Sequence, residues 1–339
     1  MNLATRYLGL TLRHPFFPGA SPLADDLDTV RKLEDAGAAA IVMRSLFEEQ
    51  ISQEQMAMHQ YTDFHRECFA EAASFFPEPE EYRLGPDAYL EQLQQIKRAV
   101  DVPVIASLNG TTLSGWIEYA RHFEKAGADA LELNIYVVAA APGVSSVDLE
   151  NRTIELVKAV KQMVKIPLAV KLTPYYTSLA HFAGRLESAG ADGLVLFNRL
   201  FQTEIDVDAL EVRRSLRLSQ STELPVRLRW LGILSPQFSG SLAVSGGVHT
   251  AADAARAIMT GAHGVQMVSA LLSSGPSYLA QVIKDFTNWM EEHEYTSIDQ
   301  LRGALSLKTC PDPSAYERAN YMLLLQSWRP LNDQRRGRF

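Results

Sequence analysis

The sequence predicts a (β/α)8 barrel, and three observations carry that prediction. A Gly-Ala pair running straight into a short apolar strand recurs four times, as Gly37-Ala-Ala-Ala-Ile-Val-Met, Gly127-Ala-Asp-Ala-Leu-Glu-Leu, Gly190-Ala-Asp-Gly-Leu-Val-Leu and Gly261-Ala-His-Gly-Val-Gln-Met. Each is preceded by an amphipathic helical stretch, so the glycine closes a helix and the chain turns at once into a buried strand. Helix, glycine stop and all-apolar strand, repeated along one chain, mark parallel βα units, and eight strands can be counted.

The elements follow in order. Tyr7-Leu-Gly-Leu-Thr-Leu predicts a short strand or hairpin plugging the bottom of the barrel. Strand one is Pro15-Phe-Phe-Pro-Gly-Ala-Ser, followed by a helix from Asp25 or Asp26 to Ala36. Strand two is Ala39 to Arg44. Residues 46–86 interrupt the rhythm and are too long for an ordinary βα loop. A helix at 87–100, strand three Pro103-Val-Ile-Ala-Ser-Leu-Asn, a helix at 114–126 and strand four Ala130 to Ile135 resume it. An apolar loop at 136–147 leads to a helix at 148–164 and strand five, Pro167-Leu-Ala-Val-Lys-Leu-Thr-Pro. A helix at 178–189 and strand six, Gly193 to Asn198, come next. A second interruption, 200–240, alternates apolar residues (Ile205, Val207; Val226, Leu228, Trp230) and predicts an extra hairpin. Strand seven is Leu242-Ala-Val-Ser-Gly-Gly-Val, then a helix to Thr260, strand eight at Val265 to Val268 and a helix from Ser277 to Glu292. The tail from 294 reads as one or two helices packed on the outside.

Composition bounds the function. At 339 residues and 47% apolar the chain suits one decorated barrel, a single domain over 1–339. A net charge of −8, with no basic run except Arg335, Arg336 and Arg338, disfavours nucleic-acid binding. Two cysteines, Cys68 and Cys310, make neither a disulfide framework nor a metal cluster, and fit a reducing compartment. Met1 to Pro15 has no apolar signal core, and no run reaches the ~18 apolar residues of a membrane span. A cytoplasmic protein with no membrane partner is expected.

Chemistry in such barrels sits at the carboxyl ends of the strands, which here read Arg44-Ser45, Asn134, Asn198 and Ser269-Ala270. Ser245-Gly246-Gly247-Val248 after strand seven and Val268-Ser269-Ala270 after strand eight suit a phosphate, because glycines let backbone N–H groups approach an anion; a tight turn is the plainer reading. Lys171 lies inside an apolar strand, where a charge is costly unless paired, and points into the barrel at an anion, a polar ligand or a structural ion-pair partner. Asn134 and Asn198 can both donate and accept, as reading a heterocycle edge requires, although an Asn at a strand end is also a routine turn residue.

Leu133-Asn134, Pro167 to Tyr175 around Lys171, Asn198, Gly246-Gly247 and Ser269-Ala270-Leu271, in this order, resemble the FMN-binding barrel of the dihydroorotate dehydrogenases, the soluble class 1 type above all. The resemblance runs from about Tyr7 to Gly303, includes Gly275-Pro276 and Tyr295-Thr-Ser-Ile, and is weakest in 46–86 and 200–240. It implies that Ala20 and Ser21 lie along the flavin ring and that Ser107 and Asn134 bond near it. Lys171 would sit near its N1/O2 side, stabilising the reduced anionic ring. Gly246, Gly247, Ser269 and Ala270 would cradle the phosphate, and Asn134 and Asn198 would face the substrate. Arg44 stands where the family has a Lys, with Ser45 beside it in the cofactor set. The resemblance also implies hydride transfer to flavin N5 and a homodimer.

The departures concern the substrate. The family base, a Cys in class 1, falls near Val137, which accepts no proton. The substrate-gripping loop after strand two has no match in 46–86, and Arg199 replaces a Ser or Thr. His59, His65, Cys68 and Tyr136 are candidate replacement bases. Arg44 and Arg199 suggest a small acidic substrate, or are explained equally by surface salt bridges. The expected activity is an FMN-dependent oxidoreductase of dihydroorotate dehydrogenase type, acting on a CH–CH bond with Lys171, Asn134 and Asn198 as catalytic side chains. Dihydroorotate is the substrate the resemblance implies. A different small acid, a flavin-containing electron-transfer subunit serving a redox partner protein, and a phosphate-binding barrel without flavin stay open beside it.

Overall fold

The computed structural model describes residues 1–47, 86–109, 113–199, 203–213 and 217–327. Eight parallel strands form one sheet: β3 (Phe16–Pro18), β4 (Ile41–Phe47), β5 (Val104–Asn109), β6 (Ala130–Asn134), β7 (Leu168–Leu172), β8 (Gly193–Leu196), β11 (Ser241–Ser245) and β12 (Gly264–Met267). The order is β3-β12-β11-β8-β7-β6-β5-β4, and the two end strands meet where Ala39 N donates to Phe16 O at 3.0 Å. This is the predicted barrel. Helices α1 (Leu27–Asp35), α2 (Pro86–Ala99), α3 (Leu113–Lys125), α4 (Ser146–Met163), α5 (Leu179–Ser188), α6 (Leu224–Leu234), α7 (Ala251–Met259) and α9 (Tyr278–Glu292) lie between or after the strands. A short α8 (Ser269–Ser274), not predicted, follows β12 directly.

The recurring phrase has one geometry. Gly37, Gly127, Gly190 and Gly261 all take left-handed φ, between 98° and 120°. The next residue's N–H reaches back five residues in each case, Ala38 to Leu33, Ala128 to Phe123, Ala191 to Leu186 and Ala262 to Ala257, at 2.8–3.0 Å. This is the 6→1 bond of a helix stop that only glycine enters without strain. The third residue then caps a neighbouring strand. Asp129 Oδ2 accepts from Val104 N at 2.7 Å and Lys97 Nζ at 2.6 Å, and Asp192 Oδ2 accepts from Leu168 N at 2.7 Å and Lys161 Nζ at 2.5 Å. In the fourth copy His263 Nδ1 accepts from Leu242 N at 3.1 Å.

That bond and its counterpart, Phe16 N to His14 Nδ1 at 3.2 Å, need an unprotonated Nδ1. Burial, aided by Arg302 beside His263 and Arg13 beside His14, lowers both imidazoles from 6.5 to about 4. Between those values the unfolded chain binds protons that the folded chain does not, so stability rises with pH across the window. The contribution is whole above pH 6.5 and is lost as pH falls towards 4, on the order of 2–3 kcal/mol per histidine at most. The urea midpoint should fall between pH 7 and pH 4.5, and less steeply in His14→Asn/His263→Asn; identical slopes would refute the assignment.

The hairpin of β1 (Thr5–Tyr7) and β2 (Leu10–Leu12) closes the barrel floor as predicted. Its Tyr7, Leu8 and Leu12 pack on Phe17, Val42, Ile105, Val195 and the small Ala130, Ala169 and Ala243, whose size leaves room for the plug.

The predicted second interruption needs correction. Ile205 belongs to a real hairpin, β9 (Glu204–Asp206) with β10 (Glu211–Arg213), and Val207 follows in its turn. Val226, Leu228 and Trp230, however, lie on α6, the barrel helix that follows β8. The residues this helix buries, Leu224, Arg227, Leu231 and Leu234, recur at helical spacing, with Pro225 in the first turn, where its missing N–H costs nothing. The period-two alternation was incidental. In the tail, α10 (Ile298–Leu301) buries its two apolar ends, whereas α11 (Ala319–Ser327) buries no residue and so is not packed as predicted. Among the described residues no helix is long and apolar enough to cross a membrane.

Candidate active site

Strand alternation brings Glu132 and Asn134 of β6, Lys171 of β7, Ser107 and Asn109 of β5 and Gln266 of β12 towards the barrel axis. Three groups result. The deepest is a triangle: Lys171 Nζ donates to Glu132 Oε1 at 3.1 Å and to Gln266 Oε1 at 3.2 Å, and Gln266 Nε2 donates to Glu132 Oε2 at 2.6 Å. All three are nearly or wholly buried. Lys171 therefore has the structural partner that the sequence left open, and a third N–H proton beyond it. Tyr7 Oη reaches up from the floor, fully buried, with its ionisation pushed up by burial and by the Glu132 carboxylate.

Above the triangle lies a cluster of hydroxyls and amides. The Ser45 and Ser107 hydroxyls are 2.8 Å apart, and Asn134 Nδ2 donates to Ser45 Oγ at 3.4 Å. Tyr89 holds Ser107 by its backbone, its hydroxyl donating to Ser107 O at 3.2 Å and accepting from Ser107 N at 3.0 Å. Asn109, in register with Asn134, is buried here too. Asn134 Oδ1 and the Ser21 hydroxyl are buried without hydrogen-bond partners among the described residues. Gly19, leading into Ala20 and Ser21, passes so close over Gln266 that a Cβ would lie 3.0 Å from its Oε1.

The third group is the turn after β11. Gly246 and Gly247 have φ of 82° and 81°. A Cβ on Gly247 would lie 2.8 Å from Leu224 N, and one on Gly246 would lie 2.7 Å from Arg227 Nη2, so α6 packs directly against the turn. On the other side Gly247 N donates to Ser219 Oγ at 3.2 Å, and Ser219 joins Ser269 through a hydroxyl contact of 2.8 Å and its own N–H at 2.9 Å. The predicted pieces Gly246, Gly247, Ser269 and Ala270 are thus brought together, with Ser219 as the link.

Other candidates stand apart. Asn198 is half-buried at the end of β8 and makes no side-chain hydrogen bond to the others among the described residues. Arg44 Nη1 pairs with Asp25 Oδ2 at 2.8 Å, and Arg199 Nη1 with Glu223 Oε1 at 3.4 Å, so both cations have carboxylate partners. His59, His65 and Cys68 lie outside the described residues, as does most of the first interruption.

A cavity of about 450 Å3 opens past the ends of β6 and β7, lined by Tyr136, Val137, Glu150, Thr173, Tyr175 and Tyr176 among others. Burial, reinforced by Glu150, pushes the Tyr176 hydroxyl up to about 12, so it keeps its proton.

The family model for dihydroorotate dehydrogenase matches residues 83–290, which run from α2 into α9 and take in the Lys171 triangle, Ser107, Asn109, Asn134, Asn198 and the Gly246-Gly247 turn, whereas Tyr7, the Gly19 to Ser21 segment, Asp25, Arg44 and Ser45 lie before it. The chain belongs to the dihydroorotate dehydrogenase family. It is thereby kin to oxidoreductases acting on a carbon–carbon bond. Among the relatives, the dihydroorotate dehydrogenase B (NAD(+)) catalytic subunit of Shouchella clausii is 31% identical over 215 residues, covering 60% of this chain and 68% of that one. The subunit of the same name from Thermoplasma acidophilum is 26% identical over 311 residues, 89% of this chain and 98% of its own.

Sequence reasoning missed Glu132, Gln266, Asn109, Ser219 and Arg227. Glu132 and Gln266 carried the signal that exposed Lys171, a polar residue inside an apolar strand. Ser219 and Arg227 sat in the misread interruption and carried none.

Proposed function

We propose that this chain is an FMN-dependent oxidoreductase acting on a CH–CH bond, one domain holding cofactor and substrate at the mouth of the barrel. The observation that carries the reading is the fit of the residues present to a phosphorylated heterocycle. Asn134 Oδ1 and Ser21 Oγ are buried acceptors awaiting a partner, Lys171 keeps a spare proton above its ion pair, and the Gly246-Gly247 turn presents backbone to an anion. When bound, FMN supplies the two-electron acceptor. Ser21, Ser45, Ser107 and Asn134 would orient the ring, Lys171 would supply positive charge to its N1/O2 side, and Gly246, Gly247, Ser269 and Ala270 would hold the phosphate. Asn198 and the cavity beside Val137 position the substrate. The relatives' designation as catalytic subunits supports a partner subunit that takes the electrons onward, the two cysteines of the chain support a reducing, cytoplasmic setting, and the class 1 resemblance supports a homodimer.

A second reading concerns the substrate alone. Val137 offers no proton acceptor where the family base falls, its titratable neighbour in the loop is Tyr136, and Arg44 and Arg199 are already paired. These favour a small molecule other than dihydroorotate. The purified protein titrated with FMN should form a yellow complex, and a chain that binds no FMN refutes both readings. Anaerobic bleaching by dihydroorotate selects the relatives' substrate; a bound flavin that dihydroorotate leaves oxidised selects the second reading.

A further inference from the structure

We propose that Arg227 is the counter-charge of the phosphate site, so that this barrel takes its flavin as the phosphate monoester and discriminates against the unphosphorylated ring. This rests on the FMN reading for the identity of the ligand, and on the surroundings of one side chain for the rest.

Arg227 projects from α6 against the back of the Gly246-Gly247 turn and is 7% exposed. Its Nε donates to Ser245 O at 2.6 Å and its Nη1 to Glu223 O at 2.7 Å. Both acceptors are backbone carbonyls. Among the described residues Nη2 has no hydrogen-bond partner, and it is the guanidinium atom nearest to Gly246, 2.7 Å from the place a Cβ would take. Nor does the guanidinium form an ion pair among those residues. The carboxylate of Glu223, the acid closest in sequence, is turned to Arg199 at 3.4 Å.

A guanidinium does not shed its proton, so this is a buried positive charge without a carboxylate of its own, an arrangement that is strongly unfavourable unless an anion completes it. Burial draws its pKa downward; Glu223 opposes that and the neighbouring Arg199 adds to it. The front of the turn shows what the anion meets. Gly247 N donates to the Ser219 hydroxyl, which donates in turn to Ser269 Oγ, so the Ser269 hydroxyl ends the chain with a proton to offer an anion, beside a turn whose two residues are left-handed. That donor, and a full charge whose Nη2 lies 2.7 Å from the Gly246 Cβ position, suit a phosphate dianion, with oxygens to bond and charge to neutralise. They give the ring of a flavin nothing.

The two parts can be separated by ligand. Dissociation constants for FMN and for riboflavin are measured by flavin fluorescence on the full chain, for the wild type, R227Q and R227K, with circular dichroism confirming the fold. R227Q should lose about 10–100-fold in FMN affinity, the range of a charged interaction, while its riboflavin affinity is unchanged. R227K, which keeps the charge, should retain most of the preference for FMN. Equal losses for both flavins, or an unchanged FMN-to-riboflavin ratio in R227Q, would overturn the proposal. If R227Q does not fold, R227K decides: a ratio that collapses with the charge still present overturns it. Failure of the wild type to bind either flavin refutes the FMN reading; the phosphate site is then judged on inorganic phosphate, which should raise the unfolding midpoint of the wild type and not of R227Q. Equal responses there overturn this inference as well.

Discussion

Lys171→Met is expected to be among the most disruptive single substitutions in the barrel interior. It removes the cation from a carboxylate that is 1% exposed and leaves Glu132 with only Gln266 to satisfy it. Breaking a buried pair from one side typically costs ~3–5 kcal/mol, because the orphaned charge has no water. The double variant Lys171→Met/Glu132→Gln removes both charges and should recover much of that loss. Urea unfolding of the three proteins checks this, and a double variant no more stable than the single one would show that the pair is not the source of the cost. The double variant also isolates the proposed role in function. Folded and without the Lys171 charge, its bound flavin should be reduced about 100-fold more slowly, the scale on which a preorganised electrostatic contact acts.

Gly247→Ala should affect binding more than folding. Its φ of 81° strains an L residue, and the new Cβ meets backbone, Leu224 N at 2.8 Å and Cα at 3.0 Å, so α6 must move away from the turn. Strain of this kind costs ~1–3 kcal/mol. The displacement also takes Gly247 N away from Ser219 and Arg227 away from the loop, so FMN affinity should drop by about 100-fold or more, as expected where several charged and neutral contacts shift together. Gly184→Ala provides the control. It lies in α5 with nothing within 4 Å of the added methyl, and it should raise stability by up to ~1 kcal/mol. Wild-type FMN affinity in Gly247→Ala would remove the turn from the phosphate site.

These predictions draw unequally on sequence and structure. The barrel was legible because its signals are local. A glycine that stops a helix and an apolar run that must be buried need no knowledge of distant residues. Lys171, Asn134, Asn198 and the Gly246-Gly247 turn could be marked for the same reason, each an odd residue in a regular context. The sixth helix was not legible, because Val226, Leu228 and Trp230 happen to alternate within a helical stretch whose buried face is Leu224, Arg227, Leu231 and Leu234. A window of five residues fits both periods, and only packing against the barrel chooses between them.

What the sequence determined by itself was the scaffold: the order of βα units, the four glycine stops, and which strand ends carry polar side chains. What the tertiary structure alone decided was pairing. Lys171 meets Glu132 at a separation of 39 residues and Gln266 at 95, Gln266 reaches Glu132 across 134, and Ser219 finds Ser269 across 50. Arg44 and Arg199, which in line could be either substrate-facing cations or salt-bridge partners, turn out to be paired with Asp25 and Glu223. Arg227, one arginine among many, turns out to be buried against the glycine turn. The physical reason is that backbone conformation follows from neighbours in the chain, whereas the cost of a buried charge depends on whichever group the closed barrel sets beside it.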